Sequence, residues 1–414
     1  MANTITVVNL VSKTVLTTLR NNTIYPKLAY KPFDSDFNQE INGYNVGNTV
    51  RYRRPTYVNY RTGTVAQPQA LTEVEEAITL DHPIGSDWNP NLLQLTTDIN
   101  SQAQIAKRFV EPATLKMANA IDQSLSNALM TSCYQVVGTA GATLNSWEKF
   151  DLGKTKLIQL GVPEPYNATL NPKDRHYLQS SMVNFFNRNM NETIGVKGML
   201  GETSGVMCYE DQNIASHTNG TFATSGTVEI ASTAASGDTT LSLKGFTASQ
   251  TGVLKAGDII YVQGCYQLNL MSQQPIGSAT EDLMKFIVQQ DVNSDAGGLA
   301  TVSVQPPMIF SSGNPYNNVS ELPTVNADVT LYGGASATYT NNFIFFRDAL
   351  MFVMKPYFKP FVPAGAYSSV RDDKTGLIFS AVQWFDGNQF NNLIRLDGLY
   401  GFKVDPRYVV RVIG

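Results

Sequence analysis

Charge is the first thing this sequence has little of. Only 15% of its 414 residues are Asp, Glu, Lys or Arg, and the net charge is −4, whereas an average soluble domain has about 25% charged residues. A protein that grips nucleic acid through phosphate contacts is usually strongly basic, so sequence-specific DNA binding is not expected. Low charge is compatible with a surface partly buried against other subunits, although it does not establish assembly.

Cysteine, histidine and long apolar runs are scarce as well. Cys133, Cys208 and Cys265 are far apart and include no CxxC pair, which argues against a disulfide framework and a zinc site. The 3 histidines are scattered, and no catalytic or phosphate-binding motif occurs. We therefore expect a protein that is not an enzyme, with no catalytic residue, cofactor or metal. No signal peptide and no transmembrane helix are expected either.

A long β-hairpin is predicted for residues 46–82. Val50–Val58 is rich in β-forming residues, Glu76–Leu80 is the predicted return strand, and Gly63 and Pro68 mark the tip. Its limbs are oppositely charged, and the candidate contact residues are Arg51, Arg53, Arg54, Arg61, Glu73, Glu75 and Glu76. A two-stranded ribbon is marginal alone in water, so we expect it to lie on a neighbouring subunit. The alternative is that its charges pair only across the hairpin.

A long helix is predicted for residues 99–132, with Asp98 as its N-cap. Pro112 either kinks this helix or begins its second half. Residues 146–225 are predicted as mixed α/β structure. In that segment, Asn145 and Glu148 have capping-box spacing before one helix, and Asn171-Pro172 is expected to begin another.

The composition changes near Gly226. Arginine is absent from residues 189–346, where short β-type runs alternate with Gly, Ser, Asp and Asn. This pattern predicts an all-β barrel or sandwich inserted into an α/β module. Near the end, residues 379–396 are predicted to form a hairpin, and Phe402–Val404 is predicted to be a further strand.

A resemblance to one family runs along most of the chain, at Gly205–Ala215, Leu254–Ile260, Phe346–Leu350, Lys374–Leu377, Arg395–Gly401 and Pro406–Val412. These segments are similar, in the same order, to the major capsid (coat) proteins of short-tailed double-stranded-DNA bacteriophages. The resemblance implies the Johnson fold, of the α+β class, with an inserted all-β barrel. The implied parts are an N-terminal arm (1–40), an extended loop (41–95), a peripheral domain with the spine helix (96–145), an axial domain (146–225), the inserted barrel (226–338) and a second axial and peripheral part (339–414).

The function implied by the resemblance is that of a capsid protein that assembles into the pentamers and hexamers of an icosahedral head enclosing double-stranded DNA. The implied partners are the chain itself, a scaffolding protein and a portal during assembly, with a decoration protein and non-specific contact with packaged DNA as further expectations. No membrane partner is expected. The implied location is the virion, after assembly in the host bacterial cytoplasm. The alternative left open is a tail, decoration or adhesin-type structural protein.

Overall fold

The computed structural model describes residues 23–32, 40–41, 44–45, 47–54, 56–66, 68, 71, 73–89, 106–183, 201–269, 271–357, 366–372, 376–387 and 391–413. The chain divides into two compact units. The first consists of Met1–Arg53, Glu75–Leu125 and Leu350–Lys403, and the second of Arg54–Val74, Ser126–Ala349 and Val404–Gly414.

The helices of the described residues are α1 Tyr25–Leu28, α2 Glu111–Ser132, α3 Trp147–Gln159 and α4 Pro172–Val183. A π-helical turn, Ala106–Val110, leads directly into α2. Pro112 therefore lies in the first turn of an α-helix, where its missing N–H is tolerated. The start predicted for this helix, at Asp98, lies outside the described residues.

Two predicted helix starts can be compared with α3 and α4. The capping box at Asn145 is wrong by one residue, because Ser146 has the extended backbone that precedes α3. The Ser146 hydroxyl accepts a hydrogen bond from the backbone N–H of Glu148 at 3.2 Å. The start of α4 at Pro172, after Asn171, is confirmed.

The strands of the described residues are β1 Glu40–Ile41, β2 Tyr44–Asn45, β3 Thr49–Arg53, β4 Glu75–Thr79, β5 His82–Trp88, β6 Val136–Gly138, β7 Tyr166–Leu170, β8 Glu202–Thr203, β9 Val206–Glu210, β10 Ser216–Thr218, β11 Thr224–Ile230, β12 Thr240–Phe246, β13 Ile259–Tyr266, β14 Leu283–Val288, β15 Ala300–Gln305, β16 Val329–Leu331, β17 Thr338–Thr340, β18 Asn342–Phe346, β19 Leu350–Lys355, β20 Ala366–Arg371, β21 Ile378–Asp386, β22 Asn391–Val404 and β23 Val409–Ile413.

The first unit contains an antiparallel sheet in which β22 pairs with both β21 and β5. The β21–β22 hairpin confirms the prediction for residues 379–396. Phe402–Val404 is in a strand, as predicted, but it is the end of β22 and not a separate strand. The ladder between β5 and β22 reaches Tyr400, opposite His82, and β22 continues without a break to Val404.

The buried carboxylate of Asp122 on α2 fixes the first described residues within this unit. It accepts hydrogen bonds from the backbone N–H groups of Ile24 at 3.0 Å and Tyr25 at 3.2 Å. These bonds satisfy donors at the start of α1 that have no partner within the helix. Tyr30 then donates its backbone N–H to the carbonyl of Leu350 at 2.8 Å.

The second unit contains two six-stranded sheets. One is mixed, in the order β6-β23-β18-β7-β9-β8, and the other is antiparallel, in the order β11-β12-β15-β14-β13-β16. The edges of the antiparallel sheet also meet, because Glu229 bridges Asp328 and the Ile230 N–H donates to the Ala327 carbonyl at 3.0 Å. This contact closes the sheet into a barrel. The chain leaves the mixed sheet after β9 and returns at β18, and the paired strands β10 and β17 connect the two sheets.

Candidate functional site

The candidate functional surface is the charged outer face of the ribbon formed by β3 and β4. In its register Arg51 lies opposite Ala77, and Arg53 lies opposite Glu75. Arg51 Nη1 is 3.6 Å from a Glu75 carboxylate oxygen, and these side chains are 72% and 51% exposed. Because an exposed ion pair contributes only about 0–1 kcal/mol, this pair does little to hold the ribbon together.

The opposite face of the ribbon has apolar residues, together with the Tyr52–Glu76 pair. Ile78 is fully buried and packs with Val353, and Val50 lies against the same cluster. Since successive residues of a strand point to opposite faces, this burial places Arg51 and Arg53 on the outer face. The support expected from a neighbouring subunit is provided, on this face, by the chain itself.

The other candidate contact residues lie on the ribbon or in the chain that joins its two strands. Glu76 accepts a hydrogen bond from the Tyr52 hydroxyl at 3.0 Å. Arg61 donates to the carbonyl of Val65 at 3.0 Å, and Glu73 is exposed. The structure therefore brings Arg51, Glu75 and their neighbours together on one ribbon, and Arg61 lies in the segment that joins the two strands.

Arg54 lies in the second unit, in a buried charge cluster. Its Nε is 3.7 Å from Asp405 Oδ2, and the side chains are 16% and 5% exposed. Arg407 binds both oxygens of the same carboxylate, at 3.0 and 2.7 Å. Burial alone would raise the pKa of Asp405, but the hydrogen bonds and charge of Arg407, with the charge of Arg54, lower it below its ordinary value. Sequence reasoning missed this cluster, and the only signal was the spacing of Asp405 and Arg407 around a proline.

A second buried cation was also missed. Arg411 on β23 is completely buried and donates hydrogen bonds to the carbonyl of Met130 near the end of α2, the Gly257 carbonyl and Asn341 Oδ1. Burial lowers the pKa of Arg411. It also raises the pKa of the adjacent Cys133 thiol to about 11, against the opposing charge of Arg411. The complete burial of Arg411 and its three hydrogen-bond acceptors indicate a structural role.

Lys285 on β14 is a third buried cation. It is 5% exposed, and its Nζ donates to the carbonyl of Glu281 at 2.6 Å. Burial and the nearby charge of Lys156 lower the pKa of Lys285 to about 7, although Asp282 and Glu281 act in the opposite direction.

The stability of the folded chain is expected to rise between about pH 7 and pH 9 because of Lys285. Its folded-state pKa of about 7 lies below the value near 10.4 in an unfolded chain, so the unfolded state binds more protons in this window. The free energy of unfolding then increases with pH, by at most about 1.4 kcal/mol per pH unit. Urea midpoints measured across this window should rise less steeply in Lys285→Met than in the wild type. Equal slopes would contradict the assignment.

The histidines do not form a catalytic constellation. His217 Nε2 lies 2.6 Å from Asp258 Oδ1 in the interior of the second unit. His82 stacks on Tyr400 in the first unit, and His176 contacts the tyrosine that follows it. Within the described ranges, no group of three or more His, Cys, Asp or Glu side chains is placed to hold a metal ion. No described helix is long and apolar enough to cross a membrane.

Comparison with known proteins places these features in a family context. The family described as "P22 coat protein - gene protein 5" matches residues 1–409. The chain is also 23% identical over 331 residues to a major capsid protein of Acyrthosiphon pisum secondary endosymbiont phage 1, covering 74% of this chain and 75% of that protein.

Solved structures show weaker similarity. That of Mycobacterium phage Che8 has a TM-score of 0.48 at 12% identity and covers 94% of this chain and 90% of its own. The capsid of Ralstonia phage GP4 has a TM-score of 0.46 at 8% identity, with coverage of 89% and 83%.

Proposed function

This chain belongs to the P22 coat protein family, and from that premise we propose that the outer face of its β3–β4 ribbon joins neighbouring subunits of the shell. The chain is a major capsid protein, a structural protein of the bacteriophage virion that assembles with copies of itself into an icosahedral shell. Family membership and the observed sheets confirm the predicted α+β Johnson fold with a barrel. The tail, decoration or adhesin alternative is therefore not retained.

The observation that carries the proposal is the division of the ribbon into two faces. The face around Ile78 is anchored on the chain's own core, so the direction of the ribbon does not depend on the charged residues. The outer pair, Arg51 and Glu75, is exposed, and an exposed pair can exchange partners at little cost in free energy. Many such weak contacts, repeated around a shell, allow misplaced subunits to dissociate and rebind.

Several finer assignments belong to the same proposal. We propose that the subunits form pentamers and hexamers around double-stranded DNA, in the host cytoplasm, with a scaffolding protein and a portal as assembly partners. A decoration protein and non-specific DNA contact are further proposed partners, and no catalytic activity is proposed. The arm, extended loop, spine helix, axial domain and inserted barrel keep the bounds given by the resemblance.

Reversing the outer charges in Arg51→Glu/Arg53→Glu is expected to abolish shells and leave soluble subunits. Like charges would then face each other between subunits, and each site is repeated throughout the shell. Electron microscopy and sedimentation of the purified protein measure the outcome. Arg54 is left unchanged, because its contact with Asp405 is buried and its reversal would disturb folding.

Two controls separate this proposal from pairing within the ribbon. Arg51→Lys/Arg53→Lys keeps the charge and should give normal shells. Arg51→Glu/Glu75→Arg restores an opposite-charge pair across the ribbon but presents the wrong charges to a neighbour. It should therefore still fail to form shells. Normal shells from this exchanged pair would show that the charges act only within the ribbon.

A further inference from the structure

The segment that joins β3 to β4 rests on a loop of the barrel. Its residues 57–60 alternate in burial, with Tyr57 and Asn59 partly buried and Val58 and Tyr60 exposed by 62% and 87%. This alternation is typical of an extended chain that has one face on a support. The support is the loop of residues 311–318, between β15 and β16, which we call the platform loop.

Three contacts hold the segment on the platform loop. The backbone N–H of Tyr57 donates to the Tyr316 hydroxyl at 3.2 Å. The two rings meet edge to face, with centroids 5.5 Å apart, a favourable aromatic geometry. The Asn59 side-chain amide donates to the carbonyl of Gly313 at 2.7 Å.

The platform loop is stiffened by its own side chains. Asn317 bonds both backbone groups of Ser311, accepting from its N–H and donating to its carbonyl, each at 2.9 Å. Asn314 accepts the backbone N–H of Tyr316 at 3.0 Å, as Asn side chains often do in turns. Gly313 has a φ of +76°, in the region that favours glycine. The loop is therefore an ordered support whose shape does not depend on the segment it holds.

We propose that the platform loop positions the joining segment by holding Tyr57 and Asn59, so that Val58 and Tyr60 are presented to a second copy of the chain. The choice of a second copy rests on the proposed function, because the chain assembles with itself. Two exposed apolar side chains on a held extended segment can bury surface against a neighbour without first having to become ordered. The barrel then contributes to assembly by directing a segment that is distant from it in sequence.

The proposal is tested with a release variant, Tyr316→Phe/Asn59→Ala, which removes both of these polar contacts with the platform loop. It keeps the ring contact and the hydrogen bond that Arg407 donates to the Tyr57 hydroxyl at 3.2 Å. In unassembled subunits, amide hydrogen exchange at Tyr57 should become about fivefold faster, the effect of losing one hydrogen bond, while exchange in the barrel strands stays unchanged. Closed shells should become rare. Tyr60→Phe is the matched control, since it removes a tyrosine hydroxyl from the same segment without touching the platform loop, and it should resemble the wild type.

Two results would overturn the positioning role: unchanged exchange at Tyr57 in the release variant, or a normal yield of closed shells despite faster exchange. A display variant, Val58→Ser/Tyr60→Ser, tests the outward face. It should retain wild-type exchange at Tyr57 and fail to form shells, and normal shells from it would overturn the contact with a second copy. If the wild type itself formed no shells, the proposed function would fail, whereas the exchange measurement would still decide whether the platform loop holds the segment.

Discussion

Asp405→Asn is expected to lower the free energy of unfolding by about 3 kcal/mol, because it removes a carboxylate charge from beside two largely buried guanidinium groups. The affected cations are Arg54 and Arg407, whose side chains are 16% and 17% exposed. Urea denaturation of unassembled subunits near neutral pH measures the loss. Arg54→Met is the control, since it leaves the two-point contact between Asp405 and Arg407 intact, and it should cost less than half as much. Equal midpoints for wild type and Asp405→Asn would contradict the assignment.

The contribution of the Arg54–Asp405–Arg407 cluster to stability should depend on pH in the acid range. The folded-state pKa of Asp405 is lowered, so its contribution to stability is complete above the unfolded pKa of about 3.9. That contribution is lost as the pH falls through the folded-state value. The difference in unfolding free energy between wild type and Asp405→Asn should therefore shrink at low pH.

Phe286→Ala is expected to lower the free energy of unfolding by about 3–5 kcal/mol, the usual range for removing a fully buried aromatic ring. Phe286 is 0% exposed in the middle of β14, and it belongs to the cluster that fills the barrel. Thermal or urea unfolding of the soluble subunit measures the loss. Phe310→Ala provides the comparison, since Phe310 is 39% exposed and its ring leaves a smaller cavity. A similar small loss for both variants would mean that the barrel core tolerates a cavity at its centre.

Strands of the barrel could be predicted because the signals for them lie within short stretches of sequence. Short β-forming runs such as Thr240–Leu243 and Ala300–Val304 are separated by residues that favour turns, and both lie within observed strands. The start of α4 was equally local, because Asn171-Pro172 combines an N-cap residue with a proline that fits the first helical turn.

What the sequence could not provide were contacts between residues far apart in the chain. The pairing of β22 from Ile394 to Tyr400 depends on β5, about 300 residues earlier. The burial of Arg411 in an apolar strand depends on hydrogen bonds to carbonyl groups of α2 and of the turn at Gly257. The platform loop reads as an Asn-rich turn, and nothing local indicates that it supports Tyr57.

The charged ribbon shows both what local sequence predicts and what it cannot predict. Its two strands and opposite charges were predicted from local pattern, but the first strand ends at Arg53 and not at the predicted Val58, and the return strand is Glu75–Thr79 and not Glu76–Leu80. The observed register pairs Arg53 with Glu75. Its support was assigned to a neighbour because few apolar residues lie within the hairpin. Val353, which packs against Ile78, is far away in sequence. The role of the outer charges between subunits remains a prediction.

Electron microscopy of the purified protein, expressed with and without its scaffolding protein, tests self-assembly most directly. Closed shells, or a mixture of shells and spirals, are the predicted result. Only small discrete particles under both conditions would contradict a shell-forming role for this chain.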